Sequence, residues 1–256
     1  MNVFKLFDLT GKVALITGGG RGLGKQIAEA FAEAGCDIIV CSRKIENCQE
    51  TADMLKEKGI KTIAIACDVT SKVDIENAVN RAIAEFGKID ILVNNSGATW
   101  GASVEDMPEE AWDKVMNVNV KGTFMMSQKV GNHMIQNGSG KIINISSVAG
   151  IKAEPPEVLD AIGYSTSKAA IIHFTKDLAR KWAQDGVYVN SIAPGFFPTK
   201  MTNALLDQKS DEIISRVPLK RIGDENMLKG IALYLASTAS DFVTGQIIAV
   251  DGGATL

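Results

Sequence analysis

Tyr164 and Lys168 frame the segment Tyr164-Ser165-Thr166-Ser167-Lys168. Four residues apart on a helix, two side chains lie on one face, so a phenol and an ammonium can share a site. A free phenol ionises near pKa about 10, too high for a base near neutrality, and a nearby cation lowers it. Such a pair is suited to passing a proton to or from an oxygen. The same spacing also arises among ordinary surface charges, so the pair points to chemistry only in company. Two apolar runs supply it. Ile142–Ser146 ends in the hydroxyls Ser146-Ser147, and Ile89–Asn94 ends in Asn94-Asn95-Ser96-Gly97. The pattern alone leaves open which of the two serines faces a site.

A third feature is the cluster Thr17-Gly18-Gly19-Gly20-Arg21-Gly22-Leu23-Gly24, set between a β-branched run and a helical one. A dinucleotide pyrophosphate needs backbone approach that a Cβ would block, and free N–H groups at a helix start. Glycines also make plain tight turns. Here the strand before and the helix after favour a nucleotide loop formed by Gly18, Gly20, Arg21, Gly22, Leu23 and Gly24. An NAD enzyme of this kind places Asp or Glu at the end of the second strand, and an NADP enzyme places a basic residue there. The second run ends Val40-Cys41-Ser42-Arg43-Lys44, with no acid. Arg21 and Arg43 could clamp a 2′-phosphate with Ser42 beside them, so NADP(H) is favoured over NAD(H).

These residues need a scaffold. Short β-branched runs at Val13–Thr17, Asp37–Cys41, Thr62–Cys67, Ile89–Asn94, Lys141–Ser146, Val187–Ile192 and Ile247–Val250 predict seven strands. Helical patterns lie between them, at Lys25–Ala34, Glu46–Lys58, Asp74–Phe86, Pro108–Met134 with a break or join near Asn117–Gly122, and Tyr164–Gln184. Gly35, Gly59, Gly87 and Gly186 stand where left-handed helix terminators belong. Strands alternating with helices imply an α/β fold, a doubly wound Rossmann-type domain with a mostly parallel seven-stranded sheet and helices on both faces. With no linker or repeat, the chain reads as one domain, 1–256. The stretches 98–107, 148–163 and 194–218 read as irregular and follow strand C-terminal ends, where ligands sit in such sheets.

Composition narrows the function classes. Charged residues make up 22% and net charge is −3, with no basic cluster, which argues against nucleic acid as a partner. The longest apolar runs, such as Val13–Ile16, are too short to cross a bilayer, and the cytoplasm is the expected location. Four cysteines without a C-x-x-C pair, and two histidines without acidic neighbours at ligand spacing, predict buried free thiols and no metal site.

Taken in order, TGGGRGLG at Thr17–Gly24, CDV at Cys67–Val69, NNSG at Asn94–Gly97, NVNVKG at Asn117–Gly122, INISS at Ile143–Ser147, YSTSK at Tyr164–Lys168, APG at Ala193–Gly195 and DGG at Asp251–Gly253 resemble the short-chain dehydrogenase/reductase family over essentially the whole length. The resemblance implies an NAD(P)-dependent oxidoreductase acting on CH–OH groups, interconverting a secondary alcohol and a ketone, with a tetrad of Asn119, Ser147, Tyr164 and Lys168. It implies that Tyr164 is the general acid or base and that Ser147 holds the substrate oxygen. Lys168 would bind the nicotinamide ribose and depress the Tyr164 pKa, and Asn119 would hold a water linking Lys168 to solvent. Asp68 and Val69 would contact adenine, and Asn95 and Gly97 would approach the adjacent ribose. Pro194, Gly195, Phe197 and Thr199 would approach the nicotinamide amide. A homotetramer or dimer is expected. Two departures stand out: Ser96 replaces the usual Ala, and the segment IKAEPPEVLDAIG between Ser147 and Tyr164 is longer than the family's usual spacing.

The chain is similar to two subgroups, the gluconate 5-dehydrogenases (5-ketogluconate reductases) and the 3-oxoacyl-thioester reductases. The site mouth is expected to bring Trp100, Pro155, Pro156, Phe196, Phe197 and Met201 together with Lys152 and Lys200. A sugar acid would use Lys152 or Lys200 for its carboxylate. An acyl chain would use Trp100 and the phenylalanines. The expected substrate contacts are Trp100, Ser147, Phe196 and Lys200, with a sugar acid preferred. A dinucleotide-binding sensor without turnover would be expected to lack the tyrosine or the lysine, and both are present.

Overall fold

The computed structural model describes residues 2–200 and 202–256; Met201 lies outside the described residues. Seven strands form one sheet: β1 Val13–Thr17, β2 Asp37–Ser42, β3 Thr62–Ala66, β4 Ile91–Asn94, β5 Gly140–Ile145, β6 Val187–Pro194 and β7 Ile247–Val250. Their order is β3-β2-β1-β4-β5-β6-β7, and every pairing is parallel. The sheet order reverses between β1 and β4, which opens a crevice at the strand C-termini.

Alternation along the strands sorts the core into two layers. Ala14, Ile16, Ile38, Val40, Ile91, Val93, Ile143 and Ile145 face one side. There they pack on Ile27 and Phe31 of α1 (Gly22–Glu33), Ala52 and Leu55 of α2 (Ile45–Lys56), and Ala232 and Leu235 of α8 (Lys229–Ala236). Leu15, Ile39, Leu92, Ile142 and Val189 face the other side. They pack on Ile75 and Val79 of α3 (Lys72–Phe86), Met126 and Val130 of α5 (Gly122–Gln136), and Leu178 of α6 (Ile162–Trp182). The helix ends follow local chemistry. The Ser71 hydroxyl accepts from the Asp74 amide at the start of α3. Gly87 ends that helix at φ 78°, a conformation a Cβ would penalise.

Two helices differ from the expectation, and the join and loops gain detail. Residues 203–216, expected as irregular, form α7 (Asn203–Arg216), and α8 was not anticipated. The join expected near Asn117–Gly122 is a single wide π-turn, Asn117–Lys121, between α4 (Glu109–Met116) and α5. Such turns recur at functional sites, and this one carries Asn119. The loops 98–107 and 148–163 are tied together, since the Ala102 amide donates to the Asp160 carbonyl at 3.0 Å and Ala102 pairs with Ala161 in an isolated parallel bridge.

Candidate active site

The glycine loop leaves β1 and enters α1 under close constraint. Gly18 and Gly22 have φ of 65° and 54°, where a Cβ is disfavoured. A Cβ on Gly24 would sit 2.5 Å from the Gly18 carbonyl oxygen and against the Asn95 side chain. The Asn95 amide explains that closeness, because its Nδ2 donates to the carbonyls of Thr17 and Gly18 at 3.0 and 3.1 Å. Thr17 answers through its hydroxyl, which accepts from the amides of Asn95 and Ser96, both at 3.0 Å. The end of β4 thus braces the end of β1, and the Asn95 side chain is occupied by that bracing. Gly22 behaves differently: a Cβ there would meet only Thr199, at 3.7 Å, so the loop is open towards the segment after β6.

The first-turn amides of α1 therefore form a cradle suited to a pyrophosphate. Arg21 and Arg43 are exposed at its edge, and neither is ion-paired with a carboxylate among the described residues. The Ser42 hydroxyl donates to the Lys44 carbonyl at 2.8 Å and accepts from Cys48 at 3.2 Å, so its lone pairs have a second claimant. Asp68 accepts from the amide and hydroxyl of Thr70 at 2.9 and 2.8 Å, which shapes the turn after β3. Val69 is buried beside Gly122. All four cysteines are free and buried, as expected.

Tyr164, Lys168, Ser147 and Asn119 converge at the ends of β4 and β5. Tyr164 lies in the first turn of α6, and the Lys168 ammonium stands 5.5 Å from its ring centroid. Lys168 is only 5% exposed. Its Nζ donates to the Ile145 carbonyl at 2.8 Å, and burial pushes its pKa down to about 8. Burial raises the Tyr164 phenol, and a hydrogen bond from Ser147 opposes that. The phenol is therefore raised in the folded chain, not lowered as expected: loss of water around it dominates, and Ser147 rather than Lys168 opposes it.

The two serines separate cleanly. Ser146 donates to the Ile192 carbonyl at 3.1 Å and accepts from Ser191 at 2.7 Å, so its hydroxyl serves the β5–β6 seam. Ser147 accepts from the Ala149 amide at 3.2 Å and keeps its proton for Tyr164 or a ligand. Asn119 is 1% exposed and heavily engaged. Its Nδ2 donates to the Ala98 carbonyl and to Ser167 at 2.9 and 2.8 Å, and its Oδ1 accepts from the Ala98 amide at 2.7 Å. A Cβ on Gly97 would lie 3.6 Å from that oxygen and 3.8 Å from Lys168 Nζ, so a glycine here keeps the approach to the ammonium clear.

The expected mouth is only partly assembled as read. Trp100 is 44% exposed, with the Lys114 ammonium 6.0 Å above its ring, and Lys200 is exposed. Phe197 is 3% exposed, its ring packed where a Cβ on Gly223 would have to go, so its side chain belongs to the core rather than to the mouth. Phe196 lines a cavity of about 200 Å³ with Phe197, Leu219, Ile222 and Met227, and none of Trp100, Ser147, Tyr164 or Lys200 borders it. Lys152 donates to the Ala254 carbonyl at 3.1 Å, which draws it toward the C-terminal segment. Lys209 of α7, a residue the sequence reading did not single out, hydrogen-bonds the Glu157 carbonyl and ties that helix to the long segment before Tyr164.

Comparison with known proteins identifies the family. The family model described as short chain dehydrogenase matches residues 12–210. A 2-dehydro-3-deoxy-D-gluconate 5-dehydrogenase from Dickeya dadantii is 42% identical over 98% of this chain and 98% of its own. A 3-oxoacyl-(acyl-carrier-protein) reductase from Thermotoga maritima is 39% identical, covering 96% of this chain and 98% of its own. Among solved structures, a gluconate 5-dehydrogenase from Burkholderia cenocepacia in complex with NADP and tartrate superposes with a TM-score of 0.94 at 38% identity, covering 99% of each chain. No described helix is long and apolar enough to cross a membrane.

Proposed function

The chain belongs to the short-chain dehydrogenase family, and from that premise we propose that it is an NADP(H)-dependent oxidoreductase of a six-carbon sugar acid, of the gluconate 5-dehydrogenase (5-ketogluconate reductase) type. Family membership makes it an oxidoreductase of CH–OH groups that uses a nicotinamide dinucleotide. The observation that carries the catalytic reading is the convergence of Tyr164, Ser147 and buried Lys168 at one sheet edge, beside a glycine cradle open to a pyrophosphate.

When bound, the nicotinamide supplies or accepts the hydride. The chain's own residues do the rest. Gly18, Gly20, Gly22, Leu23 and Gly24 hold the diphosphate against the α1 amides. Arg21 and Arg43 meet the 2′-phosphate, with Asp68 and Val69 beside adenine and Gly97 and Asn95 along the ribose. Pro194, Gly195, the Phe197 backbone and Thr199 border the nicotinamide. Ser147 donates to the substrate oxygen, and Tyr164 delivers its phenolic proton to that oxygen in reduction or removes one in oxidation. Lys168, with one N–H on Ile145, has two left for ribose hydroxyls. Its positive charge favours the phenolate that forms when Tyr164 gives up its proton. Asn119 has no free N–H, so its part is to fix Ala98 and Ser167 around that ammonium, with a water held only through the second lone pair of Oδ1.

Lys200, exposed after β6, is the cation proposed to meet a substrate carboxylate. Exposed Trp100 and the similarity to acyl-carrier-protein reductases support acyl thioester reduction as the second reading. Initial rates of NADPH oxidation with 5-ketogluconate and with an acetoacetyl thioester separate the two. Faster turnover of the ketogluconate supports the proposal, and turnover of the thioester alone refutes its substrate. A homotetramer or dimer in the cytoplasm completes the proposal, and sedimentation equilibrium reads the assembly.

A further inference from the structure

We infer that Asn144, acting with Thr175, is a positioning residue for the reaction: it locks the strand that carries Ser147 to the helix that carries Lys168. The inference rests on the catalytic reading of Tyr164, Ser147 and Lys168 above.

Asn144 is fully buried in β5 among isoleucines, on the sheet face covered by α5 and α6. A buried amide is costly unless every polar atom finds a partner. Here each one does. Asn144 Nδ2 donates to the Thr175 hydroxyl of α6 at 2.9 Å, and that hydroxyl passes its own proton to the Ile171 carbonyl at 2.8 Å. Asn144 Oδ1 accepts from Asn94 Nδ2 at 2.9 Å, and the same Asn94 amide donates to Ser127 of α5 at 2.9 Å. The main-chain carbonyl of Asn144 faces the Ser191 hydroxyl of β6 at 2.9 Å. Donors and acceptors thus run in one direction, from Asn94 through Asn144 to Thr175.

The attachment points matter more than their number. The residue after Asn144 is Ile145, whose carbonyl receives the Lys168 ammonium, and Ser147 follows two residues later. Thr175 lies about two turns along α6 from Lys168, on the same face. Asn94 precedes Asn95, which braces the glycine loop. One amide therefore ties β4, β5 and α6 together, close in sequence to Ser147 and to the Ile145 carbonyl that holds Lys168. The Oδ1 of Asn94 has no partner, so the network engages both polar atoms of Asn144 and leaves its neighbour short.

Thr175→Val keeps the side-chain shape and removes the acceptor for Asn144. Displacements near 1 Å at a reacting centre cost on the order of a hundredfold in rate, so a partial shift of β5 against α6 is expected to lower kcat by about tenfold or more. KM and the NADPH dissociation constant should stay within about twofold, and Thr175→Ser, which restores the hydroxyl, should recover most of kcat. The assay uses whichever of 5-ketogluconate and an acetoacetyl thioester the wild type reduces, with rates scaled to folded protein and Tyr164→Phe run in parallel. An unchanged kcat in Thr175→Val, or an equal loss in Thr175→Ser, overturns the inference. An active Tyr164→Phe instead overturns the catalytic reading beneath it. Should Thr175→Val not fold, Thr175→Ala also removes the acceptor for Asn144 Nδ2 and is expected to give the same split of kcat from KM; a wild-type kcat there overturns the inference too.

Discussion

Replacing Lys168 with Met should abolish turnover and make the protein more stable. Lys168 is 5% exposed, and its pKa is about 8 in the folded chain against 10.5 when free. Below pH 8 both folded and unfolded chains carry the proton, and the folded state bears the whole cost of burying it. At about 1.36 kcal/mol per pKa unit, that cost is about 3 kcal/mol. Between pH 8 and 10.5 the folded ammonium loses its proton first, so the cost fades, and above 10.5 it is gone. Met matches the length of the lysine stem and leaves the Ile145 carbonyl without its donor, a loss of about 1 kcal/mol. The net gain near pH 7 is about 2 kcal/mol, or roughly 4–8 °C in melting temperature for a chain of this size. Urea unfolding of both proteins in cofactor-free buffer, from pH 6.5 to 10.5, reads this directly. The stability gap should favour Lys168→Met at neutral pH and close as pH rises through 8 to 10.5. A variant that is less stable at pH 7, by a margin that does not change with pH, would refute the reasoning.

Other perturbations probe the rest of the site. Arg43→Ala should weaken NADPH binding by tenfold or more, the scale of about 1.5–3 kcal/mol for a charge-assisted bond, and leave NADH nearly unchanged; fluorescence titration with each cofactor checks it. Gly24→Ala should lower cofactor affinity and melting temperature together, because its Cβ would meet the Gly18 carbonyl at 2.5 Å, and the same titration with a thermal melt shows whether it does. Phe31→Ala, at a fully buried side chain between α1 and the sheet, should cost about 3–5 kcal/mol in urea unfolding without changing KM.

The seven strands were legible because a sheet buried on both faces writes itself as continuous β-branched runs, and the left-handed glycines at 35, 59, 87 and 186 punctuate the helices between them. α7 was not legible, since its sequence NALLDQKSDEIISR lacks a side-chain cap and an even apolar stripe, and it carries non-helical geometry at Lys209. α8 escaped because KGIALYLA is short and apolar nearly all round, so no face contrasts with another. At the site, residue types announced Tyr164, Lys168 and the glycine loop. Hydrogen-bond partners did not show in one dimension. The pattern could not tell that Ser146 would serve the β6 seam while Ser147 kept its proton, that Lys152 would be held by Ala254, or that the Phe197 ring would turn inward against Gly223.

In the proposed reaction Tyr164 moves a proton while NADPH reduces the ketone of a sugar acid. Initial rates of NADPH oxidation with 5-ketogluconate, measured for wild type and Tyr164→Phe at matched cofactor saturation, test it most directly. The wild type should turn over readily and the variant should lose about a hundredfold or more in rate, with NADPH still bound. Comparable rates from the two proteins would contradict it.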